Sequence, residues 1–76
     1  MKRNNYDLKA CIIRLCQTPQ KKTWIVYGSN TNFKLMDGYL QELVDDGLVR
    51  REGVFFSSTD LGDLWLERFD AFVNLP

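Results

Sequence analysis

The sequence predicts a small α+β domain, mainly helical, and three observations carry that expectation. Apolar residues recur at helical spacing in the stretches that begin near residues 5, 31 and 59; two short alternating runs flank a glycine turn; and the whole chain has 76 residues. A chain of this length makes one domain, residues 1–76, and buries only about 60% of the surface its unfolded form exposes. So small a core leaves little material for a deep pocket, whereas a surface that lies against a larger partner needs none. The size therefore favours a binding module.

Each element has its own signal. Asn4 or Asn5 can cap a first helix, running from about 5 to 16, in which Leu8, Cys11, Ile12, Leu15 and Cys16 form a buried stripe. Thr18, Pro19 and Gln20 end it, because proline cannot continue the hydrogen-bond ladder and pushes its predecessor out of the helical region. A second, short helix spans Lys21 to Tyr27, with Gly28 as its left-handed terminator. Ser29, Asn30 and Thr31 make a polar connector. A third helix, capped by Thr31 or Asn32 and ending at Gly47, carries Met36, Tyr39, Leu40, Leu43 and Val44. Leu48 to Arg51 and Val54 to Ser57 read as short strands around a Glu52-Gly53 turn. Thr59 caps a last helix, residues 59–73, before Pro76. Helix, short helix, tight connector, longer helix, hairpin, helix is the order of a winged helix-turn-helix: three helices, a two-stranded wing and a C-terminal helix.

Composition excludes several chemistries. There is no histidine, so the usual general base and the Ser/His and Cys/His nucleophile pairs are missing, and the carboxylates follow no catalytic motif. The expectation is a protein that is not an enzyme and carries no cofactor or metal. Cys11 and Cys16 lie five residues apart in a helical stretch and point away from each other, so burial as small apolar groups is expected, with an intersubunit disulfide as the alternative. No run approaches the roughly 20 apolar residues of a membrane span. The N-terminus MKRNNYD lacks the apolar run of a signal peptide, and a cytoplasmic, nucleoid-associated location is expected.

Net charge is zero, but it is unevenly distributed. Residues 1–36 hold seven bases against one acid, a charge of +6, and the remainder holds three bases against nine acids, a charge of −6. Such polarity lets one end of a neutral protein attract a polyanion while the other keeps away; two solvated faces without a partner are the alternative.

The stretch Lys22-Thr23-Trp24-Ile25-Val26-Tyr27-Gly28-Ser29-Asn30, followed by Tyr39-Leu40, Leu43 and Gly47-Leu48-Val49, resembles the small archaeal winged helix-turn-helix family of chromatin-associated DNA-binding proteins and transcriptional regulators. Phe56, Thr59 and Gly62 are similar to that family's pattern where the wing enters the last helix. The resemblance covers most of the chain. It implies double-stranded DNA as partner and a homodimer formed through the C-terminal helix, in a protein of an archaeon or an archaeal virus. Chromatin-type members have a long terminal coiled coil and a basic chain; a short last helix and neutral charge point instead to a sequence-specific transcriptional regulator. A winged-helix module that docks protein rather than DNA is the alternative.

In that architecture the third helix enters the major groove. Thr31, Asn32, Lys34 and Gln41 are then candidate base-reading residues beside Asp37, and Gly38 permits close approach. Lys21 and Lys22, at the start of the second helix, can hold phosphate together with its amides, and Asn30 belongs to the connector on the same face. Arg50 and Arg51 flank the wing, although alternation requires only one of them to face DNA. For Lys2 and Arg3 the expectation is solubility, with a loose basic arm as the alternative. On the last helix, Leu61, Trp65 and Phe69 are expected to face the domain, leaving Leu66, Phe72 and Val73, with Phe69 at the border, as the dimer interface.

Overall fold

The computed structural model describes residues 5–74, which form α1 (Asn5–Leu15), β1 (Gln20–Lys21), α2 (Lys22–Ser29), α3 (Phe33–Asp45), β2 (Val49–Glu52), β3 (Phe55–Ser58) and α4 (Asp60–Val73). The helix-turn-helix is α2 and α3, and β2 and β3 are the wing. Asn5 opens α1, whereas Asn4, Lys2 and Arg3 lie outside the described residues. The core is built where the helical stripes meet: Ile12 and Ile13 of α1, Ile25 of α2 and Met36 and Leu43 of α3 are sealed from solvent, and Val49 closes the sheet side.

The sheet has one strand more than the sequence predicts. Its order is β1-β3-β2, all antiparallel, with Gln20 opposite Phe56 and Lys21 opposite Phe55. Two residues cannot display a period of two, so β1 is invisible to pattern reading; it forms because the outer edge of β3 is open to it. The consequence is that β1 ties the start of α2 to the wing. In the hairpin, Glu52 pairs with Phe55, so the turn is Gly53-Val54, one residue later than expected. Gly53 has φ +61 and Val54 does not, the pattern of a hairpin turn that requires glycine at its first central position.

The end of α2 also differs from expectation. Asn30, not Gly28, takes the left-handed conformation (φ 57, ψ 48), and its N–H bonds back to the Tyr27 carbonyl. Asparagine tolerates this region better than other side chains. Gly28 serves instead to let α2 approach α1, because a Cβ there would sit 3.0 Å from both methyl carbons of Leu15. Helix α3 starts at Phe33, where the Asn32 side chain caps the Leu35 N–H at 2.9 Å. It closes through Gly47 at φ +77, with the Leu48 N–H returning to the Leu43 carbonyl.

A lock of backbone contacts then sets the position of α4. The Thr59 hydroxyl donates to the Gly47 carbonyl at 2.6 Å and accepts from the Gly62 N–H at 3.0 Å, while the Thr59 N–H donates to the Leu48 carbonyl. Gly62 lies directly on that Leu48 carbonyl. This contact sets the rotation of α4 and corrects the expected face: Leu66, one turn beyond Gly62, is buried in the domain core, whereas Leu61 is 53% exposed. Trp65 and Phe69 stack in parallel at 5.4 Å and pack half-buried at the edge of the core.

Both cysteines are free. Cys16 is fully buried just after α1, its carbonyl accepts from the Ser58 N–H, and burial pushes its thiol up to about 12. Cys16 is therefore closed to an intersubunit disulfide, and only Cys11 is partly accessible. A thiol reagent applied to the native protein at neutral pH is expected to modify Cys11 alone, and both once denaturant is added. Equal labelling rates in the native state would contradict the burial.

Candidate nucleic-acid interface

The fold brings residues of β1, α2, α3 and both wing strands around one groove of about 510 Å³. Its floor is Leu40, Val44 and Phe56, and its rim carries Lys21, Lys22, Asp37, Gln41 and Arg51. Lys21 precedes α2 in extended backbone and supplies no side-chain cap, so the first amides of α2 have no partner from that side chain. Amides of this kind, beside two lysines, suit a phosphate oxygen. The Lys21 ammonium lies 5.9 Å from the centre of the Phe55 ring, so β1 and the wing hold it in place.

The two wing arginines separate as strand alternation demands. Arg51 lines the groove, its guanidinium 5.7 Å from the Phe56 ring centre and donating to the Gly53 carbonyl at 3.1 Å. Arg50 pairs with Glu52 at 2.8 Å and is not part of that lining. Of the pair, Arg51 is the one on the α3 side.

On α3, Lys34, Asp37 and Gln41 share one exposed face, at spacings of three and four. Lys34 has no ion pair among the described residues. The Gln41 carboxamide donates to Asp45 at 2.9 Å. Asp37 is held by Lys22, Nζ to Oδ1, at 2.6 Å. Next to it a Cβ on Gly38 would meet nothing within 4 Å, so the helix surface there is low and open.

The connector residues expected to touch DNA carry structural duties. Asn30 closes α2, and the Asn32 carboxamide oxygen caps α3. Thr31 is half-buried, its hydroxyl 2.9 Å from that of the buried Ser29, which itself reaches the Ile25 carbonyl. They shape the turn between the helices. The groove therefore collects Lys21, Lys22, Gln41 and Arg51, while Lys34 stands on the adjoining face. Sequence reading missed the aromatic support of the cations, Phe55 and Phe56, and Val54, which is 62% exposed at the wing tip. An apolar residue in a hairpin turn was the available signal.

Three acids of the second half are engaged away from the groove. Glu42 pairs with Lys9 at 2.8 Å and raises the lysine's pKa. Asp70 receives both terminal nitrogens of Arg14, which hold its carboxyl below the usual range. Asp63 is lowered likewise by hydrogen bonds from Ser58 and Gln17. The bases of α1 thus neutralise acids of α3 and α4, and the charge segregation of the sequence is partly cancelled by folding. Asp37 is the acid that remains on the groove.

A second surface lies between α1 and the end of α4. Tyr6, Trp65, Arg68, Phe69, Phe72 and Val73 line a shallow depression there, with Phe72 72% and Val73 52% exposed. Among the described residues no helix is long and apolar enough to cross a membrane, and no cluster of ligating side chains could hold a metal.

Helices α2 and α3, the connector and the wing define a winged helix-turn-helix protein, and the family model of that description matches residues 2–76; the chain belongs to this family. The fold is similar to that of a solved structure, the DNA-binding protein Sso10a-2 from Sulfolobus solfataricus, 24% identical, with a TM-score of 0.83 over 93% of this chain and 79% of that one. No curated protein matches the sequence significantly.

Proposed function

We propose that the protein binds double-stranded DNA as a sequence-specific transcriptional regulator, with α3 in the major groove, and the start of α2 and the wing on the phosphates. The observation that carries this reading is the convergence of Lys21 and Arg51, from two separate strands, beside the exposed face of α3, where Lys22 is paired with Asp37. Phosphate contacts set register and the α3 face supplies discrimination, each good base contact contributing roughly 1–3 kcal/mol. The structural relative is described as a DNA-binding protein, which supports the same reading. Fluorescence anisotropy of a labelled duplex tests it. The protein is expected to bind and to lose affinity as salt rises; a flat signal at every salt concentration would leave a protein-docking module instead.

The functional unit in this proposal is a homodimer joined through the Phe72 and Val73 face of α4, continued by the half-buried Phe69 and Trp65. Leu66 is not part of it, being enclosed in its own domain core. A two-fold axis through that face sets two α3 helices to read half-sites about 34–36 Å apart. Sedimentation tests the dimer: the parent is expected at twice the mass of Phe72→Asp. Equal monomer masses reject it.

A further inference from the structure

We infer that Asp37 determines base preference, accepting a hydrogen bond from the exocyclic amine of a cytosine, and that Lys22 is its positioning residue. The inference rests on the DNA-binding reading above. A lone carboxylate on a helix that enters DNA is repelled by phosphate, so Asp37 at first counts against that reading. The Lys22 ion pair removes the objection, because the pair is neutral as a unit. It also orients the group. Lys22 occupies Oδ1, while Oδ2 receives no hydrogen bond from the described residues, and the Asp37 side chain is 60% exposed.

The surroundings suit an approach to base edges. Gly38 presents bare backbone beside Asp37, and Lys34 and Gln41 lie one turn away on either side. Gln41 is tethered to Asp45, which engages one of the two N–H donors of its carboxamide. A carboxylate is an acceptor only. In the major groove, guanine and thymine offer acceptors that repel it, and adenine sets an acceptor beside its amine; cytosine offers the amine alone. The geometry therefore points to a C·G pair opposite Asp37 in each bound site.

A structural ion pair that merely joins α2 to α3 would give none of this selectivity, and the Asp37→Asn variant separates the two. Asparagine keeps the shape but adds a donor, which matches adenine. Both proteins are used to select duplexes from a random pool, and the affinities of the enriched sites and their single-base variants are measured. The parent is expected to enrich one invariant C·G position per half-site and to lose about tenfold in affinity when it is replaced. Asp37→Asn is expected to lose that preference or to exchange it for A·T, with other positions unchanged. The same enriched positions for both proteins overturn the role of Asp37 while leaving DNA binding intact. Failure of the parent to retain any duplex overturns the DNA-binding reading, and the inference with it.

Discussion

Gly62→Ala is expected to lower Tm by roughly 12–24 °C, the equivalent of about 3 kcal/mol in a domain of this size. A Cβ at this position would fall far inside van der Waals contact distance of the Leu48 carbonyl oxygen and against the Leu48 carbonyl carbon. Both obstructing atoms are backbone, so no rotamer change relieves the clash. The Leu48 carbonyl cannot withdraw freely either, because it accepts the Thr59 N–H, and the neighbouring Gly47 carbonyl accepts the Thr59 hydroxyl. Helix α4 must therefore move away from β2, and Leu66 leaves the core with it. Against a total stability on the order of 5 kcal/mol, this brings the domain close to unfolding at physiological temperature. Gly38→Ala serves as the internal control, because a methyl there meets open space and gains about 1 kcal/mol of helix propensity. Thermal unfolding followed by circular dichroism decides it: equal Tm values for the parent and Gly62→Ala would mean that α4 does not rest on Leu48.

The second large effect is on DNA affinity. Lys21, Lys22, Lys34, Arg50 and Arg51 are the cations on or beside the proposed face; if each neutralised one phosphate, log affinity would fall against log salt with a slope of about −4.5 per domain. A fourfold rise, from about 50 to about 200 mM, then weakens binding roughly 500-fold. The structure predicts that the five do not contribute equally. Lys21 stands beside the Phe55 ring of the wing and Arg51 beside the Phe56 ring on the groove, and replacing either by alanine is expected to reduce the slope by about 0.9. Lys22 is committed to Asp37 and Arg50 to Glu52, so their alanine variants are expected to change the slope less. Slopes that respond identically to all five substitutions would show that these pairs open on binding and that the rings position nothing.

How much of this could be read from residues alone varies with the range of the interactions involved. Helix α3 was legible because its period and its caps, Asn32 and Gly47, are local signals, and each acts as expected. Thr59 was legible as a cap for the same reason. The sequence favours Gly28 as the left-handed residue after α2, glycine being the commoner choice, but Asn30 takes it. Gly28 is needed for a different purpose that only contact with Leu15 reveals. The groove itself was half legible. The cations of residues 21, 22 and 51 were identified as candidates, yet nothing in their spacing says that Arg51 rather than Arg50 lies beside α3, or that Asp37 belongs to Lys22.

The exposed apolar face of α4 shows the same division most sharply. An excess of apolar residues on the last helix was visible in the sequence, but which of them turn inward depends on the rotation of α4, and the Gly62 contact with Leu48 settles that through atoms fourteen residues apart. Local periodicity, capping and turn chemistry determined the class of fold, the helix order and the existence of a wing. Tertiary structure decided the third strand, the pairing of acids with α1, the phase of α4 and the company kept by Asp37. Those depend on groups distant in sequence, whose meeting is selected by packing and has no signature in a short window of residues.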